Sequence, residues 1–282
     1  MSLSGYIIEK YNCMSNAYTC NRLVEEAANL GIDLRIIGIH DSYCTSDGIY
    51  NGNEKLEPRD FLINRYKWGN LKDQLNTLVT RTYNEVQHYN TFVNKYEQVR
   101  LLKSDAFIMP KYILGTTSLD YANLENILGT PIVAKGLESS MGQEIFLIEN
   151  EGEYQKFRES QSPQKEWLYE EFISTSFGRD MRFYSIRGKV IAAMERKSKG
   201  DFRANVALGA SVKPLNITPA MVQIARDIYE QTGLDFLGID LLYGEDKSYF
   251  CEINVMPGIE GIESATGVNV AREIVKTIKG DF

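Results

Sequence analysis

Residues 234–258 read L-D-F-L-G-I-D-L-L-Y-G-E-D-K-S-Y-F-C-E-I-N-V-M-P-G. Two runs of apolar, β-branched and aromatic residues flank a polar turn at 244–248, and this pattern predicts a β-hairpin. Side chains along a strand alternate between two faces. One face therefore carries the core-like residues Leu237, Ile239, Leu241, Tyr243, Cys251, Ile253 and Val255. The other face carries Asp240, Glu252 and Asn254.

The two faces hold together only if Asp240 lies opposite Glu252, because a slip of one residue would turn one carboxylate into the apolar layer. Two carboxylates and the amide oxygen of Asn254 are hard oxygen ligands. Such a set suits Mg²⁺, which keeps several waters and shares its coordination shell with substrate phosphates. A solvated acidic strand face is the alternative, since exposed Asp and Glu need no metal.

Composition limits the class of protein. The chain has 282 residues and a net charge of −7. This length suffices for two domains, or for one large domain with a sizeable core. The acidic balance argues against a nucleic-acid partner, which needs a basic face. No apolar run approaches the roughly 20 residues of a membrane span, and no signal peptide is visible, so we expect a cytoplasmic protein without a membrane partner.

The cysteines agree with a reducing compartment, because Cys13, Cys20, Cys44 and Cys251 lack a metal-site pattern such as C-x-x-C. A disulfide is the less favoured alternative. Cys251 lies on the apolar side of the predicted hairpin, and we expect it to be a small core hydrophobe.

The N-terminal part begins with a β-α-β pattern. Strands are predicted at 5–9 and 34–39, and the helix between them opens at Ser15 and is closed by Gly31. This order is typical of an open α/β sheet. No G-x-G-x-x-G follows the first strand, so a dinucleotide fingerprint is absent. The polar segment 40–59 is predicted to be a long loop or a flap.

The segment that follows is predicted to turn from extended chain into a helix. Residues 85–90 look extended, and Thr91 is expected to cap a helix over 92–103 with an apolar stripe. Lys95 lies in the first turn of this helix, where a cation is unfavourable to the helix dipole. Taken alone, this position favours a solvated lysine over a functional one.

A candidate phosphate loop lies in the middle of the chain. The strand P-I-V-A-K ends at Lys135, the small-residue segment 136–143 follows, and a strand resumes at 144–149. Such a hairpin flap can hold phosphates with its backbone N–H groups, and Lys135 supplies a point charge. An ordinary turn is the alternative.

Further charged residues lie on the next predicted strands. One strand over 165–173 ends in Glu170-Glu171-Phe172-Ile173. A hairpin then turns at Arg187-Gly188, a tight turn that glycine favours. Asp180 and Arg182 share one face of its first strand, and Arg196 lies at the end of the second.

The order of these motifs resembles that of a known family. The chain contains, in sequence, Lys95, Lys135 with its small-residue loop, Glu170-Glu171-Phe172-Ile173, Asp180-x-Arg182, Arg196, Asp201-Phe202-Arg203-x-Asn205, Gly238-x-Asp240 and Glu252-x-Asn254-x-x-Pro257-Gly258. This set resembles the ATP-grasp family, most closely its RimK-type branch of amino-acid ligases, which includes a glutamate ligase acting on a ribosomal protein. The likeness covers roughly residue 85 to the C-terminus.

The resemblance implies a fold that combines α/β and α+β parts. A pre-ATP-grasp α/β domain is expected over residues 1–90. An ATP-grasp fold of two α+β subdomains is expected to follow, with the small or central subdomain and its phosphate flap over 91–174 and the C-terminal subdomain with the metal site over 175–282.

The resemblance also implies roles for single residues. Lys95 and Lys135, with Ser140 and Gly142 of the flap, match the phosphate-binding positions of the family. The adenine edge and its amino group match Glu170, Glu171, Phe172 and Ile173, and Asp180 matches a position near the ribose or one that orients Arg182. Asp240, Glu252 and Asn254 match the Mg²⁺ ligands. The catalytic positions, where phosphate and acyl group meet, match Arg182, Arg196, Arg203 and Asn205.

The implied activity is ATP-dependent ligation of a carboxylate to an amine through an acyl phosphate, with release of ADP and phosphate. The implied cofactors are ATP and Mg²⁺, with Mn²⁺ as an alternative. The implied partners are a small-molecule or peptide carboxylate and an amine, and homo-oligomerisation stays open. A catalytically silent ATP-binding module and a small-molecule kinase of the same fold are the competing functions.

Two departures from the family pattern bear on the partner and the flap. Residues 206–210 read V-A-L-G-A where the glutamate ligase carries basic residues, which argues against an acidic amino acid or an acidic protein tail as partner. The flap also has fewer glycines than many relatives, so a looser contact with phosphates is expected.

Overall fold

A computed structural model of the chain describes residues 2–10, 18–67, 69–139, 144–204 and 209–282. Its strands are β1 (Ser4–Glu9), β2 (Asp33–Gly38), β3 (Ser42–Thr45), β4 (Gly48–Asn51), β5 (Glu54–Lys55), β6 (Arg59–Ile63), β7 (Val79–Tyr83), β8 (Phe107–Ile108), β9 (Tyr112–Thr116), β10 (Ile132–Gly136), β11 (Ile145–Ile148), β12 (Glu166–Glu171), β13 (Arg179–Ile186), β14 (Lys189–Lys197), β15 (Ser211–Pro214), β16 (Phe236–Leu242) and β17 (Ser248–Asn254). Its α-helices are α1 (Tyr18–Asn29), α2 (Asn70–Leu75), α3 (Val86–Phe92), α4 (Lys95–Leu101), α5 (Tyr121–Leu128), α6 (Glu151–Ser160), α7 (Pro219–Thr232), α8 (Glu260–Thr266) and α9 (Val270–Lys279).

The N-terminal sheet is parallel, in the order β2-β1-β6-β7. Its central strand β1 is apolar on both faces, with Tyr6, Ile7 and Ile8 all buried, as expected for a parallel strand covered on two sides. Helices α1 and α9 place their apolar stripes in one core cluster with this sheet. The predicted β-α-β opening is thus present.

The segment 40–59 is not an irregular loop, and the prediction of a long loop is wrong. It contains the small antiparallel sheet β3-β4-β5. Tyr43 and Tyr50 lie opposite each other in this sheet and stack with ring centroids 5.3 Å apart. Short strands joined by two-residue turns can pair antiparallel. The strands were not predicted because the segment is polar and lacks an apolar alternation.

The segment 85–103 also differs from the expectation. Residues 86–92, expected to be mostly extended, form α3, which buries Tyr89 and Phe92. The helix expected from Thr91 starts at Lys95 because Asn94 is its N-cap, and the Asn94 side chain accepts hydrogen bonds from the N–H groups of Tyr96 and Glu97. Asn caps a helix better than Thr, and Thr91 lies within α3.

Two largely antiparallel sheets make up the remainder, in the orders β11-β10-β12-β9 and β15-β14-β13-β16-β17-β8. The predicted turn between β13 and β14 is present, with Arg187 and Gly188 both at positive φ. Strand β8 pairs with β17, so part of segment 91–174 joins the C-terminal sheet. The boundaries at residues 90 and 174 stay a proposal. Among the described helices, none has the length and apolar character to cross a membrane.

Candidate functional site

The register of the β16–β17 hairpin brings the three predicted oxygen ligands to neighbouring positions. Asp240 pairs with Glu252, and Gly238 pairs with Asn254. The opposite side of the hairpin contributes Leu237, Ile239, Leu241, Ile253 and Val255 to one core cluster. The predicted opposition of Asp240 and Glu252 is therefore confirmed. Asp240 is 1% exposed, so its carboxylate needs compensating partners.

A β-bulge changes the position of Cys251. The register shifts after Asp240, so that Leu241 pairs with Phe250 and Cys251 is the extra residue. Phe250 belongs to the core cluster, whereas Cys251 is partly exposed. Burial of the thiol raises the pKa of Cys251 and the nearby Lys135 ammonium opposes that shift. The expectation that Cys251 is a core hydrophobe is thus wrong, and its thiol lies within electrostatic range of Lys135.

The Asp240 carboxylate lies in a chain of four charged side chains. Arg182 donates to it from Nε at 2.6 Å and from Nη2 at 2.5 Å. Arg196 donates to it from Nη2 at 2.8 Å and makes two 2.6 Å hydrogen bonds to Asp180. Their strands β13, β14 and β16 are adjacent, so the order Asp180–Arg196–Asp240–Arg182 follows from the sheet register.

The formal charges of this chain cancel, but its two carboxyls differ. Burial acts to raise the pKa of Asp240, yet Arg182 and Arg196 outweigh it, and the pKa is lowered. Burial also raises the pKa of Asp180, and here Arg196 offsets it only in part, so the pKa stays raised. The difference follows because Asp240 has two guanidinium partners and Asp180 has one. Asp240 is therefore held as a carboxylate.

Lys135 lies at the end of β10, and its ammonium forms a buried ion pair with Glu170 of β12 at 2.6 Å. Burial acts to lower the pKa of Lys135, but the Glu170 carboxylate outweighs it, so the pKa is raised. The Glu252 carboxylate adds to this effect. The ammonium is thus kept charged at neutral pH.

Lys95 connects helix α4 to the base of the predicted flap. Its Nζ donates to the Ser139 carbonyl at 2.5 Å and lies 3.6 Å from the Glu252 carboxylate. Its backbone N–H donates to the carbonyl of Leu137 at 2.8 Å. The Lys95 side chain is buried, so solvation does not explain it. Lys95 and Lys135 both lie near Glu252.

The residues predicted at the adenine edge, 170–173, do not all face the same part of the molecule. Glu170 faces Lys135, whereas Glu171 accepts a hydrogen bond from the backbone N–H of Lys111 at 2.8 Å. The Phe172 ring meets the rings of Phe177 and Phe202 edge-on. The Ile173 carbonyl accepts a hydrogen bond from the N–H of Ser176 at 3.0 Å.

The remaining predicted residues are not all placed. Arg203 forms a two-point ion pair with Asp201, with Nη2 2.7 Å from Oδ2 and Nε 3.0 Å from Oδ1. The guanidinium also lies over the Phe202 ring at 5.6 Å. This pair holds the turn after β14 and does not share a described contact with Asp240. Asn205, Ser140 and Gly142 lie outside the described residues.

Sequence reasoning missed two basic residues that follow strand β6. Arg65 donates to the carbonyl of Pro257 at 3.2 Å, just after the β16–β17 hairpin. Lys67 donates to the carbonyl of Glu138 at 2.9 Å, at the base of the flap. Both lie before the motif-bearing part of the chain, and no local pattern marks them.

The oxygen ligands fit a magnesium ion in chemistry, though not as a preformed cage. Asp240, Glu252 and Asn254 supply carboxylate and amide oxygens from paired strands. Both Asp240 oxygens accept from guanidiniums, and Asn254 Oδ1 accepts from the Met256 N–H at 3.0 Å. Among the described residues no group of three or more His, Cys, Asp or Glu could hold a metal ion. Mg²⁺ would therefore compete with Arg182 and Arg196 for Asp240.

A family model, curated relatives and solved structures were compared with the chain, and all three comparisons find ligases or a ligase-type domain. A family model for a RimK-like ATP-grasp domain matches residues 93–278. A "Probable alpha-L-glutamate ligase" from Cellvibrio japonicus is 32% identical over 92% of this chain and 90% of the relative. A protein of the same description from Halorhodospira halophila is 31% identical over 94% and 92%. The structure of the ATP-grasp ligase PsnB complexed with a minimal precursor matches with a TM-score of 0.75, at 14% identity over 100% of both chains.

Proposed function

The chain belongs to the RimK-like ATP-grasp family, and from this premise we propose that it is an ATP-dependent carboxylate–amine ligase that forms an amide through an acyl phosphate. The observation that carries the proposal is the charged cluster in which Asp240 and Glu252 lie opposite each other with Lys95 3.6 Å from Glu252. A wall of acidic oxygens facing buried lysines suits a metal-bound polyphosphate.

In this proposal the nucleotide phosphates contact Lys95 and Lys135, and Asp240, Glu252 and Asn254 hold Mg²⁺. When bound, the metal neutralises charge on the terminal phosphates. Phosphoryl transfer needs positioning and charge compensation from the protein rather than covalent help. Both lysines are buried, so their side chains are held in place and lose little freedom when phosphate binds.

The proposed reaction has two steps. A carboxylate oxygen of the acid attacks the γ-phosphorus, the bond to the bridging oxygen breaks, and ADP leaves. The amine nitrogen then attacks the acyl carbon, phosphate leaves with the C–O electron pair, and the nitrogen gives up a proton. Arg182 and Arg196 lie beside the Asp240 wall, where their positive charge can stabilise the transferred phosphate and the carboxylate.

Water must be kept from the acyl phosphate, since it hydrolyses readily. The flap that begins at residue 136 is the proposed lid. Its described base is held by Lys95 on the Ser139 carbonyl, and Ser139 Oγ donates to the Gly136 carbonyl at 3.0 Å. The opening of such a lid limits turnover in many enzymes.

For the substrates we propose amino acids or peptides. The relatives from Cellvibrio japonicus and Halorhodospira halophila carry the name probable alpha-L-glutamate ligase, and PsnB was solved with a minimal precursor. Residues 206–210 of this chain are V-A-L-G-A and offer no cation for an acidic side chain. We therefore expect neutral amino acids or peptides to react faster than glutamate.

The test is a screen for phosphate release with ATP and Mg²⁺ over amino acids, dipeptides and peptide C-termini, followed by mass spectrometry of the products. A ligase releases ADP and phosphate only when acid and amine are both present, and the product loses the mass of one water. A stable phosphorylated product instead indicates a kinase. ATP binding without turnover over the whole screen indicates a silent module.

A paired variant links turnover to the proposed metal wall. Asp240→Asn with Glu252→Gln should lower turnover at least about 100-fold, the size of effect expected when charge compensation at a transferring group is lost. Glu245→Gln with Asp246→Asn is the matched control, because both residues are exposed on the turn of the same hairpin, and it should retain wild-type turnover. Equal activity in the two double variants would contradict the metal assignment.

A further inference from the structure

Lys67 approaches the flap from the N-terminal sheet. It follows strand β6 by four residues, and its Nζ donates to the Glu138 carbonyl at 2.9 Å. The side chain is half-buried. The segment that carries it lies outside the matched family region, which starts at residue 93.

Lys95 approaches the neighbouring carbonyl, that of Ser139, at 2.5 Å. Two ammonium groups from distant parts of the chain therefore bind consecutive carbonyls at the base of the flap. Burial lowers the pKa of Lys67, and the Lys95 ammonium lowers it further, while Glu252 and Glu138 oppose the shift. Like charges repel each other, and the Glu252 and Glu138 carboxylates oppose that repulsion in the ligand-free protein.

Glu252 is the shared neighbour of three lysines. It lies 3.6 Å from Lys95 and acts electrostatically on both Lys67 and Lys135. Counted together, the three lysines and the carboxylates of Glu252, Glu170 and Glu138 have no net formal charge, and the Asp180–Arg196–Asp240–Arg182 chain adds none. Three ammonium groups beside an acidic wall suit a polyphosphate that arrives with a divalent cation.

We propose that Lys67 is a third polyphosphate-binding lysine, supplied by the segment after β6 rather than by the family motifs. This inference rests on the proposed function, because its ligand is the di- or triphosphate of the nucleotide. Binding then turns the Lys67 ammonium from the Glu138 carbonyl to a phosphate oxygen, which joins the segment after β6 to the nucleotide, while Lys95 keeps its place at the Ser139 carbonyl.

A purely structural role for Lys67 predicts opposite effects of its removal on stability and on nucleotide affinity. If Lys67 only ties the flap base to the N-terminal segment, its removal lowers the stability of the ligand-free protein and leaves nucleotide affinity unchanged. If Lys67 binds phosphate, its removal relieves repulsion from Lys95, so ligand-free stability holds or rises while affinity for a polyphosphate falls.

The experiment is titration calorimetry of ADP and of AMP, each with Mg²⁺, on the wild type, Lys67→Met and Lys67→Arg. We expect Lys67→Met to weaken ADP binding about 10-fold, which corresponds to about 1.4 kcal/mol, and to change AMP binding less than twofold. Lys67→Arg should retain most of the ADP affinity. The matched control is Lys156→Met on α6, which is exposed and should match the wild type.

Thermal unfolding without nucleotide completes the test, and Lys67→Gln replaces Lys67→Met if the latter does not fold. Wild-type ADP affinity in the neutral variant overturns the inference while leaving the ligase proposal intact. An equal loss for AMP and ADP also overturns it, because the effect would not be specific to the polyphosphate. Failure of the wild type to bind ADP overturns the ligase proposal itself, and the role of Lys67 with it.

Discussion

Lys135 and Glu170 form a buried ion pair that keeps charge in the protein interior without a clear gain in the free energy of unfolding. Their side chains are 8% and 4% exposed and lie 2.6 Å apart. The cost of removing two ions from water is comparable to their attraction, so an apolar pair of similar size is often at least as stable. We therefore interpret the pair as an arrangement that keeps the Lys135 ammonium charged and in place.

Replacement of Lys135 alone should be costly. Lys135→Met leaves the Glu170 carboxylate buried without its partner, so the free energy of unfolding should fall by about 3–5 kcal/mol. The double variant Lys135→Met with Glu170→Leu should recover most of that loss, although ATP binding stays weak in both. Urea unfolding and nucleotide titration measure the two effects.

The control for this prediction is Lys165→Met. Lys165 pairs with Glu144 at the surface, where the side chains are 34% and 42% exposed, and its loss should cost less than about 1 kcal/mol. If Lys135→Met were as stable as Lys165→Met, the interpretation of Lys135–Glu170 as a strongly coupled buried pair would be wrong.

At the scale of elements, Asp281 links helix α9 to strand β7 and to the β13–β14 turn. The Asp281 carboxylate, just after α9, accepts hydrogen bonds from Arg187 in the β13–β14 turn and from Tyr83 at the end of β7. Arg81 lies 3.3 Å from it. The hydrogen bonds from Arg187, followed by that from Tyr83, lower the pKa of Asp281 to about 2, although burial opposes the shift.

This ionic cluster predicts a pH dependence of stability. A carboxyl whose pKa is lower in the folded than in the unfolded state stabilises the fold above the unfolded pKa, here about 3.9. That contribution is lost as the pH falls from about 4 to about 2. Asp281→Asn should therefore cost about 1–2 kcal/mol at pH 7, a value reduced for partial exposure, and almost nothing near pH 2.

Urea unfolding of the wild type and Asp281→Asn at a series of pH values measures this difference. Asp246→Asn, on an exposed turn, should show little difference from the wild type at any pH. A gap between wild type and Asp281→Asn that did not shrink below pH 4 would refute the linkage.

At the scale of the whole molecule, the proposed site draws on three sheets. Lys67 follows the N-terminal parallel sheet, Lys135 and Glu170 lie in the second sheet, and Asp240 with its arginines lies in the third. A ligand that contacts all three stabilises the native state relative to the unfolded chain, because the unfolded chain does not assemble the site.

Mg²⁺ with ADP should therefore raise the unfolding temperature. At a ligand concentration of about 100 times Kd the gain is about 2.7 kcal/mol, which for a chain of this size is a shift of about 5 °C. The variant Asp240→Asn with Glu252→Gln should lose the Mg²⁺-dependent part of the shift, and Glu245→Gln with Asp246→Asn should keep it. Differential scanning fluorimetry gives the comparison, and equal shifts in both variants would exclude the acidic wall as the metal site.

Strands with a strong apolar pattern were predictable, and weakly patterned segments were not. The β16–β17 hairpin, the β10–β11 hairpin and the β13–β14 turn follow from alternation and glycine placement. The small sheet in 40–59 and helix α3 were missed, because short polar strands and a seven-residue helix gain their stability from packing rather than from their own propensity.

The sequence by itself determined the faces of the hairpin, the opposition of Asp240 and Glu252 and membership of an ATP-grasp family, because the period-two alternation of a strand and the order of motifs are local properties of the chain. Tertiary structure alone decided that Arg182 and Arg196 bind Asp240, that a bulge moves Cys251 out of the core, and that Lys67 reaches the flap. These features depend on pairing between strands and loops far apart in sequence. No local sequence pattern predicts which distant charged side chain contacts a buried carboxylate.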